Sequence, residues 1–148
     1  MPEVEAAIGT VQFKKLDRLN RIRRKNAKIY RKGLADTEIT FQKEGNNTEN
    51  AYFYLTGVLP KRLANKRDDF LDEVKKLVVP IKKLYPSSLP EIELLKGKVN
   101  DNCPIAKDIT KRLFNLYVNP GLDEGNINLF CEKIRKAYSK VERDEKST

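Results

Sequence analysis

The sequence predicts an α+β domain in which a small sheet of about three or four strands carries helices mainly on one face. Three observations support this fold class. A long amphipathic helix opens the chain, short aromatic or β-branched segments then alternate with helical ones, and no linker is long enough to divide the 148 residues into two units. The prediction is therefore one domain that covers residues 1–148.

The first predicted element is a single long helix over residues 2–34. Pro2 suits a first helical turn, where its missing N–H costs nothing, and Gly33 favours termination. When the residues are placed on a helix, the apolar side chains fall within one arc of roughly 140°. The arc contains Ile8, Val11, Leu16, Leu19, Ile22, Ile29, Tyr30 and Leu34.

The formal net charge of +9 is concentrated on this helix. Residues 14–32 contain ten Lys or Arg residues and a single acid, Asp17. Such a concentration permits binding to nucleic acid or another polyanion, and Arg21, Lys25 and Lys28 are the candidates because they face away from the apolar arc. The alternative is a core-facing helix with a solvated basic back, for which nucleic-acid binding would be weak and non-specific.

Four later segments have the composition of strands. They are residues 38–42, 51–59, 78–84 and 113–118. The segment 51–59 is the strongest, because it is aromatic and β-branched and is stopped by Pro60. Pro80 places the third segment at an edge of the sheet or makes its start irregular, since proline cannot donate a ladder hydrogen bond.

Three further helices are predicted, two from apolar residues at spacings of three and four and the middle one from Pro104 in its first turn. They cover residues 68–77, 103–112 and 124–141, and residues 91–96 are expected to form a helical turn. Asp123 is a suitable N-cap for the last helix. Residues 142–148 are expected to be a charged, frayed tail.

The composition excludes several kinds of chemistry. The chain contains no histidine, which excludes Ser-His-Asp and Cys-His mechanisms. Cys103 and Cys131 cannot complete a structural zinc site without carboxylates, so no metal is expected, and both thiols are expected to be reduced and partly buried. No apolar run approaches the ~20 residues of a membrane span, and no apolar signal region is present. These features favour a cytoplasmic protein that does not contact membranes.

Several motifs follow one another in an order that is similar to a known family. Ala6-Ala7-Ile8-Gly9 with Gln12 is followed by the basic stretch 23–30, the aromatic residues 52–54, residues 79–86 ending in Tyr-Pro, and Cys103-Pro104-Ile105-Ala106. In this order they resemble the C-terminal small domain of the DegT/DnrJ/StrS family of PLP-dependent sugar aminotransferases. Met1 would then be the methionine of the family's loop before the first helix. The sequence departs from the family at Leu89-Pro90, where a histidine is frequent, and at Tyr117, where the family has proline.

The resemblance implies the small domain of a fold-type I aminotransferase, whose whole enzyme transfers an amino group to a keto sugar nucleotide. It also implies that the lysine, the acid and the phosphate-binding groups that hold PLP lie before residue 1. We therefore expect no catalytic or cofactor-binding residue in this chain, no PLP bound by the chain alone, and no independent activity. The expected partner is a separate large PLP-binding domain or subunit, and the chain would be half of a split enzyme or a truncated remnant.

By the same resemblance, the residues nearest to the sugar-nucleotide cleft are Tyr85, Pro86 and Ser88, with Tyr54 as a weaker candidate. The alternative is that Tyr85 packs within its loop and that Tyr54 is a core aromatic residue. A second hypothesis for the whole chain is a non-enzymatic module that binds a polyanion or a protein through the basic helix. A domain built to face a larger partner should also expose an apolar patch, which we expect around Ile8 and Val11.

Overall fold

The chain begins with two helices where the sequence predicts one. The structure is a computed structural model that describes residues 2–99 and 102–146. Helix α1 spans Glu3–Phe13 and helix α2 spans Leu16–Gly33. Between them, the Lys15 N–H donates to the Gln12 carbonyl at 3.0 Å, which is a tightened turn with a three-residue spacing. The prediction of a single helix is wrong here. Because α1 buries no side chain, no packing holds it in line with α2.

Helix α2 is anchored by its second half. Asn26, Ala27 and Tyr30 are buried, and the Asn26 amide donates to the Asn119 carbonyl at 3.1 Å, which ties the helix to the turn before the last helix. Gly33 lies so close to that last helix that an added Cβ would come within 2.6 Å of the Cys131 sulfur. The glycine therefore permits close helix packing in addition to ending α2.

Within the described residues, four strands form one antiparallel sheet in the order β1-β2-β4-β3. The strands are β1 (Thr40–Phe41), β2 (Leu55–Val58), β3 (Ile81–Lys82) and β4 (Leu113–Leu116). Each lies within a segment that the sequence predicts to be a strand. The two central strands are β2 and β4. Strand β3, which directly follows Pro80, lies at an edge as expected.

The predicted strand 51–59 is too long, because its first half leaves the extended conformation. Tyr52 has a φ of 47°, which a strand does not accommodate. Its N–H donates to the Asn50 side chain at 2.9 Å, a local bond that replaces a ladder hydrogen bond. The strand therefore begins only at Leu55.

The remaining helices lie close to their predicted positions. They are α3 (Arg67–Lys76), α4 (Pro104–Thr110) and α5 (Glu124–Lys146), with short 3-10 helices at Lys61–Lys66 and Leu89–Glu91. The Asp123 carboxylate accepts the Asn126 N–H at 2.7 Å, which confirms the expected cap.

Residues 142–146 continue α5, where the sequence predicts a frayed tail. The Glu142 carboxylate pairs with Arg62 at 2.7 Å and with Lys146 at 3.8 Å, and Val141 is buried one residue earlier. These contacts explain why α5 extends beyond Val141, its last buried apolar residue. The last part of the predicted tail, Ser147 and Thr148, lies outside the described residues.

The core lies between the sheet and helices α2, α3 and α5, as the predicted fold class requires. Paired residues such as Leu55 and Leu116 occupy one face of the sheet, and Phe114 packs on Phe70 of α3 with ring centroids 5.2 Å apart. The α+β class with a small four-stranded sheet is confirmed. In the part of the chain that the structure describes, no helix is long and apolar enough to cross a membrane.

Candidate cleft residues, the basic groove and the exposed face of α1

Of the three candidate residues in the Tyr-Pro loop after β3, two are exposed and the third is buried. The Tyr85 side chain is 58% exposed and makes no hydrogen bond or ring contact with the other described residues, and Pro86 is also exposed. Ser88 is buried instead. Its hydroxyl donates to the Glu91 carboxylate at 2.5 Å and its N–H donates to the same carboxylate at 3.0 Å. Ser88 therefore caps the following 3-10 helix, and its hydrogen bonding lowers the pKa of Glu91.

Tyr54 belongs to a small cluster of aromatic and cationic side chains. Its ring meets the Tyr117 ring edge to face, with centroids 5.1 Å apart, and the exposed Phe53 ring at 4.6 Å. The Lys82 amine lies 5.8 Å from the Tyr117 centroid. The Tyr117 hydroxyl, with the Tyr54 hydroxyl nearby, raises the pKa of Lys82, so this amine remains a cation at neutral pH.

Lys82 and Tyr117 were missed as candidates because the sequence does not reveal strand register. Lys82 pairs with Asn115 across β3 and β4, and Tyr117 follows two residues later on the same side of the strand. The Asn115 amide donates to the Thr56 hydroxyl at 2.9 Å. Its buried carbonyl oxygen has no partner among the described residues. This face of the sheet is therefore more polar than the one that holds the core.

The three polyanion candidates lie together in a groove between α2 and the loop of residues 43–52. We call this feature the basic groove. Its volume is about 760 Å³, and it is lined by Arg21, Arg24, Lys25, Lys28, Arg31, Glu44, Thr48, Glu49 and Tyr52. The sequence predicts the basic face of α2 but not the opposite wall, because a polar loop gives no sign of where it folds back.

Internal contacts already engage part of the basic groove. Arg24 pairs with Glu49 at 3.0 Å, and Arg31 donates to the Gln42 carbonyl at 2.5 Å and to the Tyr52 hydroxyl at 3.2 Å. The Tyr52 hydroxyl donates in turn to Glu44 at 2.6 Å. Burial of Tyr52 and its bond to Glu44 raise the pKa of the phenol.

The remaining cations of the basic groove differ in their contacts. Lys25 pairs with Glu124 at the start of α5, at 3.0 Å. The side chains of Arg21 and Lys28 form no hydrogen bond or ion pair with the other described residues. These two cations are therefore free to meet an external anion.

The expected apolar patch on α1 is confirmed. Ile8 is 58% exposed and Val11 is 50% exposed, and together with Ala7 and Gln12 they line a shallow apolar depression. The side chains of Val4 and Phe13 extend the same exposed helix. The predicted apolar arc therefore splits into two parts, because its α1 part faces solvent whereas Tyr30 and Leu34 enter the core. Met1, the expected loop methionine, lies outside the described residues.

The two cysteines differ in their surroundings. Cys131 is buried, and burial raises the pKa of its thiol to about 11. Cys103 is exposed, which corrects the expectation that both cysteines are partly buried. The described residues contain no group of three or more His, Cys, Asp or Glu side chains that could hold a metal ion.

Comparison with known proteins agrees with this architecture. The family model of the DegT/DnrJ/EryC1/StrS aminotransferases matches residues 1–135. A GDP-perosamine synthase from Vibrio cholerae is 27% identical over 141 residues, which cover 94% of this chain but only 38% of the synthase. The chain therefore spans well under half the length of the curated relative.

Solved structures show the same fold. An aminotransferase from Psychrobacter cryohalolentis matches with a TM-score of 0.81 and 19% identity, over 96% of this chain and 40% of that protein. A Helicobacter pylori aminotransferase involved in the biosynthesis of pseudoaminic acid matches with a TM-score of 0.84 and 15% identity, over 95% of this chain and 38% of its own. The fold is thus that of a small domain within larger aminotransferases. Because the family model covers nine tenths of the sequence, the chain belongs to the DegT/DnrJ/EryC1/StrS aminotransferase family.

Proposed function

We propose that the chain acts as the small domain of a PLP-dependent sugar aminotransferase and works together with a large PLP-binding domain or subunit. The observation that carries the proposal is α1, an 11-residue helix without a single buried side chain. Exposed apolar patches of a few hundred Å² usually mark an interface. The family match and the partial coverage of the relatives support a large PLP-binding domain as the proposed partner for this surface.

In the assembled enzyme, the Tyr-Pro loop and the Tyr54 cluster are proposed to border the sugar-nucleotide cleft. Tyr85 and Pro86 are exposed and available for contact with the substrate. Ser88 contributes indirectly, because its hydrogen bond to Glu91 caps the 3-10 helix and so fixes the loop. Lys82 adds a cation beside Tyr54 and Tyr117. A hydroxyl-rich cationic surface suits the sugar hydroxyls and phosphates of such a substrate. A cytoplasmic location remains part of this proposal.

The chain alone is proposed to be inactive. PLP supplies the electron sink for amino transfer, and a protein must hold it through an enclosed lysine with a suitable pKa. Among the described residues, the buried charged side chains are Arg67 and Arg112, and no lysine is buried. The residues present therefore do not fit a PLP site.

We expect the isolated chain to bind PLP only adventitiously. Exposed lysines can form an imine, but without a pocket the adduct should be substoichiometric and spread over several positions. Absorbance spectroscopy after gel filtration, followed by borohydride reduction and peptide mapping, measures both properties. A stoichiometric visible band that is abolished by changing one lysine would contradict the proposal.

The partnership itself is tested by genomic context and by reconstitution. We expect the coding region before this chain, or a separate gene in the same genome, to encode a large PLP-binding domain of the family. Mixing that domain with this chain should produce amino transfer to a keto sugar nucleotide that neither component supports alone. The absence of such a coding region would instead favour the binding-module hypothesis.

The basic groove favours a second candidate function, which is binding of a polyanion without catalysis. The cations of α2 face solvent, and Arg21 and Lys28 have no internal partner among the described residues. Nucleic acid should bind weakly and without sequence preference, because stacking on exposed aromatic rings is not available in this groove.

We expect the combined substitution of Arg21, Lys25 and Lys28 by glutamate to abolish nucleic-acid binding without unfolding the domain. All three side chains are exposed, and only Lys25 would lose an ion pair. Fluorescence anisotropy with several sequences at increasing salt, combined with a thermal melt of the variant, measures both effects. Tight binding that prefers one sequence would overturn the expectation of a weak, solvated surface.

A further inference from the structure

We propose that the basic groove is a binding site for an oligophosphate, meaning two or more linked phosphate groups of a small molecule. This inference concerns a surface separate from the apolar face of α1. It does not depend on the aminotransferase proposal, because the groove is complete within the described residues. Three properties of the groove carry it, namely unpaired charge, a fixed opposite wall, and a lining that offers no base-stacking ring.

The first property is an excess of positive charge at close spacing. Five Lys or Arg side chains line the groove, against the two carboxylates of Glu44 and Glu49. Both carboxylates are already engaged, by the Tyr52 hydroxyl and by Arg24 respectively. Lys25 is paired with Glu124, so two positive charges, those of Arg21 and Lys28, remain uncompensated. Their position in a concave surface focuses the potential on an incoming anion.

The arrangement along α2 aligns these cations. Arg21, Lys25 and Lys28 recur at spacings of four and three residues, which place them on one face of the helix. Like charges at such spacings repel one another. The free side chains, Arg21 and Lys28, lie about 10 Å apart along the axis at the rise of an α-helix. A bound anion with several negative groups relieves this repulsion at both positions together.

The second property is that the opposite wall is held in place. Tyr52 adopts a φ of 47°, which is uncommon for a residue with a side chain. Its N–H is held by Asn50, and its hydroxyl connects Glu44 to Arg31 of α2. The loop and the helix are therefore linked across the groove before any ligand arrives. Such preorganisation reduces the entropy lost on binding.

The third property limits the class of ligand. A volume of about 760 Å³ lies within the range of small-molecule sites, roughly 300–1,000 Å³. The one aromatic residue of the lining, Tyr52, is 3% exposed, so its ring cannot stack on a base. Recognition must then come from phosphate oxygens, which arginine binds in a forked geometry and lysine binds as a point charge. Inorganic pyrophosphate and the diphosphate of a nucleotide share this chemistry.

The test uses the 148-residue chain with a groove variant and a matched control. The groove variant combines Arg21→Gln with Lys28→Gln. The control combines Arg18→Gln with Lys32→Gln, which removes the same charges from exposed positions of α2 outside the groove lining. Isothermal titration calorimetry and amide chemical shifts are recorded with inorganic pyrophosphate, ADP, orthophosphate and a short oligodeoxythymidylate at about 0.15 M ionic strength.

We expect pyrophosphate and ADP to bind with similar affinity, and orthophosphate to bind more weakly. The groove variant should weaken pyrophosphate binding about tenfold or more, while the control changes it by less than about threefold. Shifted amides should cluster in residues 21–31 and 43–52. Similar affinities for ADP and pyrophosphate would assign recognition to the phosphates, and much tighter binding of ADP would show a base contact and contradict the proposal.

Three results would overturn the inference. Equal weakening by the control variant would show that net charge, and not the groove, attracts the anion. Tighter binding of the oligodeoxythymidylate than of pyrophosphate would assign the surface to nucleic acid. No amide shift with pyrophosphate in the folded wild-type chain would show that the groove is not an anion site. None of these outcomes bears on reconstitution with a large domain, so the two proposals fail separately.

Discussion

Replacing Phe114 by alanine should lower the free energy of unfolding by about 3–5 kcal/mol, the largest stability effect that we expect from one substitution in this chain. Phe114 lies in the central strand and is fully buried. Its ring packs on Phe70 and lies directly over Gly57, where an added Cβ would come within 2.5 Å of the ring. Truncation would leave a cavity where the sheet meets α3. The midpoint of thermal unfolding should fall by roughly 10–20 °C.

The matched control is Phe13→Ala, which removes the same atoms from a side chain that is 75% exposed. This variant should change the free energy of unfolding by no more than about 0.5 kcal/mol. Chemical denaturation of both variants, followed by circular dichroism, gives the comparison. A Phe114→Ala chain that unfolds with the wild-type midpoint would show that the packing between the sheet and α3 contributes little.

Replacing Ile8 and Val11 together by aspartate should weaken association with the large PLP-binding domain by at least about 100-fold. Two apolar side chains that become buried on docking each contribute about 1.5–3 kcal/mol, and a buried carboxylate would add a desolvation cost. The isolated chain should keep its thermal midpoint, because neither side chain contacts the core. The measurement is binding of the purified chain to the large domain, together with recovery of amino transfer.

Ile105→Asp supplies the matched control for docking. Ile105 lies on α4 and is 74% exposed, so the substitution adds a charge to another exposed apolar position. It should leave association unchanged. Full retention of binding and activity by the Ile8 and Val11 variant would remove the physical basis for α1 as the docking element.

The sequence was sufficient to predict the fold class and the approximate place of each strand in the described part of the chain. Apolar spacing located α3 and α5, and Pro104 located α4, to within a few residues at most boundaries. The misassignments arise where a local or tertiary contact overrides the pattern. Tyr52 leaves the strand because of its positive φ. Helix α5 extends past Val141 because Glu142 pairs with Arg62 of the 3-10 helix Lys61–Lys66, which is distant in the sequence. Neither the Tyr52–Asn50 hydrogen bond nor the Glu142–Arg62 ion pair produces a periodic pattern of apolar residues in the sequence.

The candidate surfaces were predicted only in part, for a related reason. The basic face of α2 is visible as a run of lysines and arginines, but the wall that turns it into a groove depends on the fold of residues 43–52. The neighbours of Tyr54 depend on strand register, which brings Lys82 and Tyr117 together from positions 35 residues apart in the sequence. Ser88 could be recognised as a cap from Glu91 three residues later, because this spacing is typical of a capping box.

The two outer strands of the sheet affect how the chain behaves at high concentration. Each contains only two residues, and β3 follows Pro80 and carries Lys82. Edge strands of two residues, one of them charged and preceded by proline, give a neighbouring molecule few backbone groups with which to extend the sheet. Strand addition, which starts many fibrous aggregates, is therefore disfavoured in the native state. Self-association of the isolated chain should instead proceed through α1, as a reversible and detergent-sensitive contact between helices.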